Sequence, residues 1–159
     1  MLRLRSKARA QTALEVLFLT GVILLGAALV VGPYLETNSS SELILHVRSQ
    51  AESACAYLNT GVVLEDEKYG QLNAVIVSAN YSSIGCIVRG VGITQEDEGS
   101  VSIKVSVGYH KNLGQDLLKN AISDFIKREL KSRGGFSERY GELYYRGRRV
   151  IIDLEVRKE

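Results

Sequence analysis

Between Val16 and Leu35 the chain runs for twenty consecutive residues without a formal charge, most of them aliphatic. A helix of that length spans about 30 Å, the thickness of a bilayer's hydrocarbon core. The pattern predicts a helix over Thr12–Gly32, ended or kinked by Pro33, which lacks an amide hydrogen and crowds the preceding turn. Gly21, Gly26, Ala28 and Gly32 would let neighbouring backbones approach closely. The following Thr37-Asn38-Ser39-Ser40-Ser41 is a poor helix former and reads as a hinge. A second helix is expected from Ser39 and Glu42, which have capping-box spacing. Ile44, Val47, Ala51, Ala54, Cys55 and Leu58 recur at helical period, and Gly61 supplies the stop.

Beyond Gly61 the pattern shortens to strands. Ala74–Ala79, Ile84–Arg89 and Val101–Val107 are β-branched runs between turn residues, with Asn80–Ser83 as the turn joining the first two. The third run alternates strictly, Val101, Ile103, Val105 and Val107 against Ser102, Lys104 and Ser106. A further helix is predicted over Gln115–Ser132, with Leu117, Leu118, Ala121, Ile122, Phe125, Ile126 and Leu130 as its apolar stripe. A last hairpin pairs Glu142–Tyr145 with Val150–Val156, whose Val150, Ile152, Leu154 and Val156 face the core. The expected class is α+β: a long hydrophobic N-terminal helix, then a globular head with an antiparallel sheet and packed helices.

Charge sharpens this picture. Among 159 residues the formal net charge is +2, which does not suggest a general polyanion binder. Residues 36–98 hold nine acids and three bases, whereas residues 99–159 hold eight acids and thirteen bases. That polarity is either complementarity for head-to-tail packing of identical subunits or an ordinary solvated surface. Cys55 and Cys86 are the right number for one bridge in an exported domain, or else two buried thiols. Asn38-Ser39-Ser40 and Asn80-Tyr81-Ser82 are glycosylation sequons.

The N-terminal flank carries the strongest signal. Arg3, Arg5, Lys7 and Arg9 precede the apolar run, and Glu15 stands at its mouth. Basic residues there place the N-terminus in the cytoplasm and the head outside. A carboxylate opening such a helix is unfavourable in lipid and calls for a partner. If the chain began at Gln11, its α-amine would lie four residues from Glu15, and staggered neighbouring helices would pair the two charges. Residues 1–33 resemble the class III signal peptide of type IV pilin-like proteins, particularly the archaeal kind with Gln after the cut. The resemblance implies that a prepilin peptidase cuts between Ala10 and Gln11, and that Gln11 and Glu15 set subunit register. It divides the chain into a basic leader (1–10), a transmembrane or filament-core helix (11–33), a hinge (34–41) and an extracellular α+β head (42–159). Its implied partners are the peptidase, a pilus assembly platform, the membrane, and further copies or related pilins. The chain would sit in the cell membrane before assembly and in a surface filament afterwards. Pilin heads of this branch are mainly β, so the helix at Gln115–Ser132 points to a specialised or minor subunit. Gly26 and Ala28 also have the spacing of an ordinary signal-peptidase site, with Glu15 then at the edge of the apolar region.

No catalytic constellation is visible, and neither an enzyme nor a cofactor is expected. His46 and His110 are isolated, and Gly90-Val91-Gly92 lacks the third glycine of a dinucleotide fingerprint and reads as a loop. Glu65-Asp66-Glu67 and Glu96-Asp97-Glu98 would hold calcium only if the fold joined them. Arg139, Arg146, Arg148 and Arg149, interleaved with Tyr140, Tyr144 and Tyr145, suit nucleic-acid contact. They suit a solvated hairpin better, so nucleic acid is not an expected partner. The expected role is a structural pilin or pseudopilin; the alternative is a single-span, membrane-anchored extracellular binding module.

Overall fold

A computed structural model describes the backbone of residues 3–159 and the side chains of residues 15–31 and 39–159. In chain order the elements are α1 (Arg3–Thr60), a short 3-10 turn (Glu67–Tyr69), α2 (Gly70–Ser78), β1 (Ile87–Glu96), β2 (Ser100–Tyr109), α3 (Gln115–Lys131), β3 (Phe136–Arg139), β4 (Glu142–Tyr145) and β5 (Arg148–Lys158). The chain divides into two compact units, one up to Ser41 and the other Glu42–Glu159.

The first unit holds the N-terminal part of α1. The expected hydrophobic spanning helix needs correction here. Among the described residues no helix is long and apolar enough to cross a membrane. Nor does the helix break where expected, since Pro33 and the serine run are both helical. Helix propensity is a weak preference of a few tenths of a kcal/mol per residue for serine, and it does not by itself stop a helix.

In the second unit the C-terminal part of α1 buries Leu43, Val47, Ala51, Ala54, Cys55 and Leu58, the stripe that its periodicity predicts, save that Ile44 gives place to Leu43. Gly61 ends the helix in the left-handed region at φ +65, where glycine meets no Cβ penalty. The residues Ala74–Ala79, expected as a strand, lie in and just beyond α2. Leu72, Val75, Ile76 and Ala79 are buried, a helical spacing that becomes visible only when Leu72 is counted in. Asn80–Ser83 is therefore no hairpin turn but the exit from that helix, with Asn80 and Tyr81 at positive φ.

The five strands form one sheet in the order β1-β2-β5-β4-β3, and it is mixed rather than antiparallel. Strands β1–β2, β3–β4 and β4–β5 pair antiparallel, while β2 and β5 run parallel. The parallel pair follows from α3, which lies between them in sequence and returns the chain to the starting end of the sheet. Register aligns Val101 with Val150, Ile103 with Ile152, Val105 with Leu154 and Val107 with Val156. Both apolar sets thus share the core side of the sheet, where α3 packs against β5 and buries Leu118, Ile122, Phe125, Ile126 and Leu130 fully. Gly90-Val91-Gly92 lies within β1 rather than in a loop, and Phe136–Arg139 adds a fifth strand that polar composition hides.

Candidate functional site

The first candidate is the exposed apolar surface of α1. Val16, Leu17, Phe18 and Leu19 are each at least 60 % exposed, and at about 100° per residue those four positions encircle the helix. Exposure continues through Ile23, Leu24, Leu25, Leu29 and Val30 at 65 % or more. Thr20 has the sole side-chain hydroxyl in the stretch, and it donates to the Val16 carbonyl at 2.7 Å. No side-chain polar atom from Val16 to Val31 therefore needs water. Glu15 stands exposed at the head of this surface. Ala10 and Gln11, the expected processing and register residues, fall among the side chains that lie outside the described set.

A second cluster ties α1 to the sheet. Cys55 and Cys86 form a disulfide with Cα atoms 5.0 Å apart, which resolves the two readings of these cysteines. One turn on, the Asn59 amide brackets the backbone of Cys86. Its Nδ2 donates to the Cys86 carbonyl at 2.8 Å, and its Oδ1 accepts the Cys86 N–H at 2.7 Å. Sequence reasoning missed Asn59, since a polar residue near a helix end looks like solvent-facing surface. Tyr57 completes the junction: its hydroxyl donates to Asn73 Oδ1 at 2.6 Å and accepts the Leu64 N–H at 2.9 Å, and its ring stacks on Tyr69 at 4.1 Å.

A third cluster surrounds His46, on α1. Its Nε2 is 3.8 Å from Glu42, Arg133 Nη1 lies 3.4 Å from its Nδ1, and Phe136 and Tyr145 meet the ring edge-on. The Gln50 amide, with its oxygen toward Arg133, accepts from Nε at 3.1 Å and Nη2 at 2.6 Å. Burial pushes the Tyr145 phenol up, aided by Glu42. The arginines of the β3–β5 region mostly hold carboxylates: Arg146 meets Glu42 at 2.8 Å, Arg148 meets Glu96 at 2.8 Å, and Arg149 meets Glu142 at 2.5 Å. Such pairing opposes use of these groups for phosphate. His110 sits beside Gly85, with Nδ1 3.2 Å from the carbonyl.

The structure does not join the acidic triplets. Glu67 holds Arg128 at 3.2 Å, Asp66 caps the Lys68 N–H at 2.9 Å, and Glu96 to Glu98 lie at the β1–β2 turn. Among the described residues no group of three metal-ligating side chains occurs, which overturns the conditional calcium reading. A shallow groove of about 200 Å³ is lined by Lys127, Lys131, Glu138, Glu142 and Arg149, and its Lys131–Glu138 pair closes at 2.6 Å. Asn80 is exposed, while the Asn38 side chain lies outside the described set.

On the open sheet face, Lys104 and Arg157 both reach Glu155, at 2.8 and 2.5 Å, and hold its carboxyl below the usual range. The Arg89 guanidinium does the same for Glu159. A lowered folded pKa contributes stability that is complete above the unfolded value, about 4.3, and is lost as pH falls through the folded one. Melting temperature is therefore expected to decline below about pH 4.3, and Glu155→Gln should flatten that acid limb by lowering the neutral plateau slightly toward the acid value. A Gln variant with the wild-type acid slope would discount the Lys104–Arg157 clamp.

No family model, no curated protein and no solved structure matches the chain.

Proposed function

We propose that this chain is a structural subunit, a pilin or pseudopilin, of a type IV pilus-like surface filament. The supporting observation is the surface of α1 from Val16 to Val31, exposed on every side and free of unsatisfied side-chain polar groups. Burying one large apolar side chain contributes roughly 1.5–3 kcal/mol, so eleven of them in water are a strong drive toward association. Copies of the same helix bury one another through dispersion and close packing. Gly21 and Gly26, where an added Cβ would meet open space, leave room for a neighbouring backbone. The Glu42–Glu159 unit stands on the outside of the cell.

Glu15 supplies register. A prepilin peptidase removes residues 1–10, and the freed amine of Gln11 on one subunit pairs with Glu15 on the next, in surroundings where an ion pair is far stronger than in water. An assembly platform and other pilins complete the set of partners. The test is Glu15→Ala, with the N-terminus read by mass spectrometry and filaments by electron microscopy of the sheared surface fraction. Both chains are expected to begin at Gln11, and only the variant to lack filaments. Normal filaments from the variant, or a wild-type chain that retains Met1–Ala10, would sink this reading.

A further inference from the structure

We propose that the Glu42–Glu159 unit carries the two halves of a head-to-tail contact with a second copy of this chain: the Tyr140 turn of one copy docks on the Val62, Leu64, Val77 and Tyr81 surface of the next. The contact rests on the filament reading for its role, and its geometry comes from the unit itself.

The first half is a strained aromatic knob. Tyr140 and Gly141 join β3 to β4, with φ of +54 and +80. Such a two-residue turn needs positive φ at both positions and favours Asn-Gly, whereas a bulky residue there is disfavoured. Arg146-Gly147, between β4 and β5, repeats the geometry with φ of +49 and +86. There the side chain is used, since Arg146 covers the Tyr145 ring at 5.3 Å and holds Glu42. Tyr140, by contrast, is 104 % exposed. Beside it Arg139 lies over the Tyr144 ring at 5.7 Å and has no carboxylate partner among the described residues. A large ring held out at a strained tip, next to an unneutralised guanidinium, is the composition of an interface anchor.

The second half is an apolar surface edged with acid. Val62, Leu64, Val77 and Tyr81 are 55, 46, 52 and 62 % exposed. The loop after α1 is held along α2. Asn73 Nδ2 donates to the Leu64 carbonyl at 2.9 Å, and a Cβ on Gly61 would stand 2.9 Å from the Tyr81 carbonyl oxygen. Asp66 caps the next turn and Glu67 holds Arg128, which leaves Glu65 as the exposed acid without a partner among the described residues. Glu65 complements Arg139, just as the acidic residues 36–98 complement the basic residues 99–159. Because knob and surface are different patches, the contact is heterologous, and repetition that does not close into a ring yields an open chain of subunits.

The full chain is studied by sedimentation velocity in a detergent that shields Val16–Val31, so that only the head contact is read. Wild-type protein is expected to form oligomers that lengthen with concentration. Tyr140→Asn, which suits the left-handed turn, and Leu64→Asn should each be monomeric with an unreduced melting temperature. Mixed in equal amounts, the two variants retain one intact half each and should form dimers and nothing longer. Arg139→Glu should weaken association several-fold, and mixing it with Glu65→Lys should restore oligomers that lengthen with concentration, since both junctions between unlike copies pair opposite charges. Monomeric wild-type protein, a variant that associates as wild type does, or a mixture that stays monomeric would overturn the contact. Failure of the filament reading is a separate result: head oligomers persist in detergent, yet no filament forms when it is removed.

Discussion

Leu24→Arg should abolish filament assembly while leaving the Glu42–Glu159 unit folded. Leu24 is 65 % exposed at the middle of the Val16–Val31 stretch, so little in its own chain depends on it. In an assembly of helices its environment becomes apolar, where a buried arginine costs about 2.5–3.5 kcal/mol. At 1.4 kcal/mol per factor of ten, that weakens each association step by roughly two orders of magnitude. Sedimentation of the detergent-free chain reads the loss, and near-UV circular dichroism should show an unchanged head. Wild-type quantities of polymer would mean that this surface is buried by something other than its copies.

The second large effect concerns the junction at the end of α1. Cys55→Ser with Cys86→Ser opens a loop of 31 residues, and the chain-entropy model gives about 3.7 kcal/mol for closing one of that size. For a unit of this length the melting temperature should fall by roughly 10–20 °C. Asn59→Ala in the intact protein should cost about 1–3 kcal/mol, since it strands both backbone groups of Cys86. The two changes act on one attachment point, so their combined effect should depart from the sum. A loss of under about 3 °C in the double-serine variant would show that Asn59 and the surrounding packing hold the junction unaided.

Elements whose pattern is local are legible in the amino-acid sequence. The α3 stripe, the alternation of β2 and the β4–β5 hairpin repeat over enough residues to separate a period of 3.6 from one of 2. Ala74–Ala79 misleads because six small or β-branched residues carry no period of their own, and Leu72, which supplies it, lies outside that window. The direction of β5 against β2 is hidden for another reason. Alternation shows which face of a strand is buried, but not which neighbour it takes or which way it runs. At the candidate site, Glu15 and the apolar stretch are legible as composition. Asn59 and Tyr140 are not, since one matters through its partner and the other through a backbone angle.

The position of β5 also governs how this unit comes into being. It follows the other described elements in sequence yet lies in the interior of the sheet, between β2 and β4. Until β5 arrives, β2 offers Val101, Ile103, Val105 and Val107 with one edge unpaired, joined only to β1. The pairing of Val101 with Val150 closes across forty-nine positions, so the core cannot consolidate as the chain emerges and must wait for its final strand. During that interval the growing polypeptide presents an open β-edge that is competent to pair with a neighbour, a hazard that ends only when Arg148–Lys158 inserts.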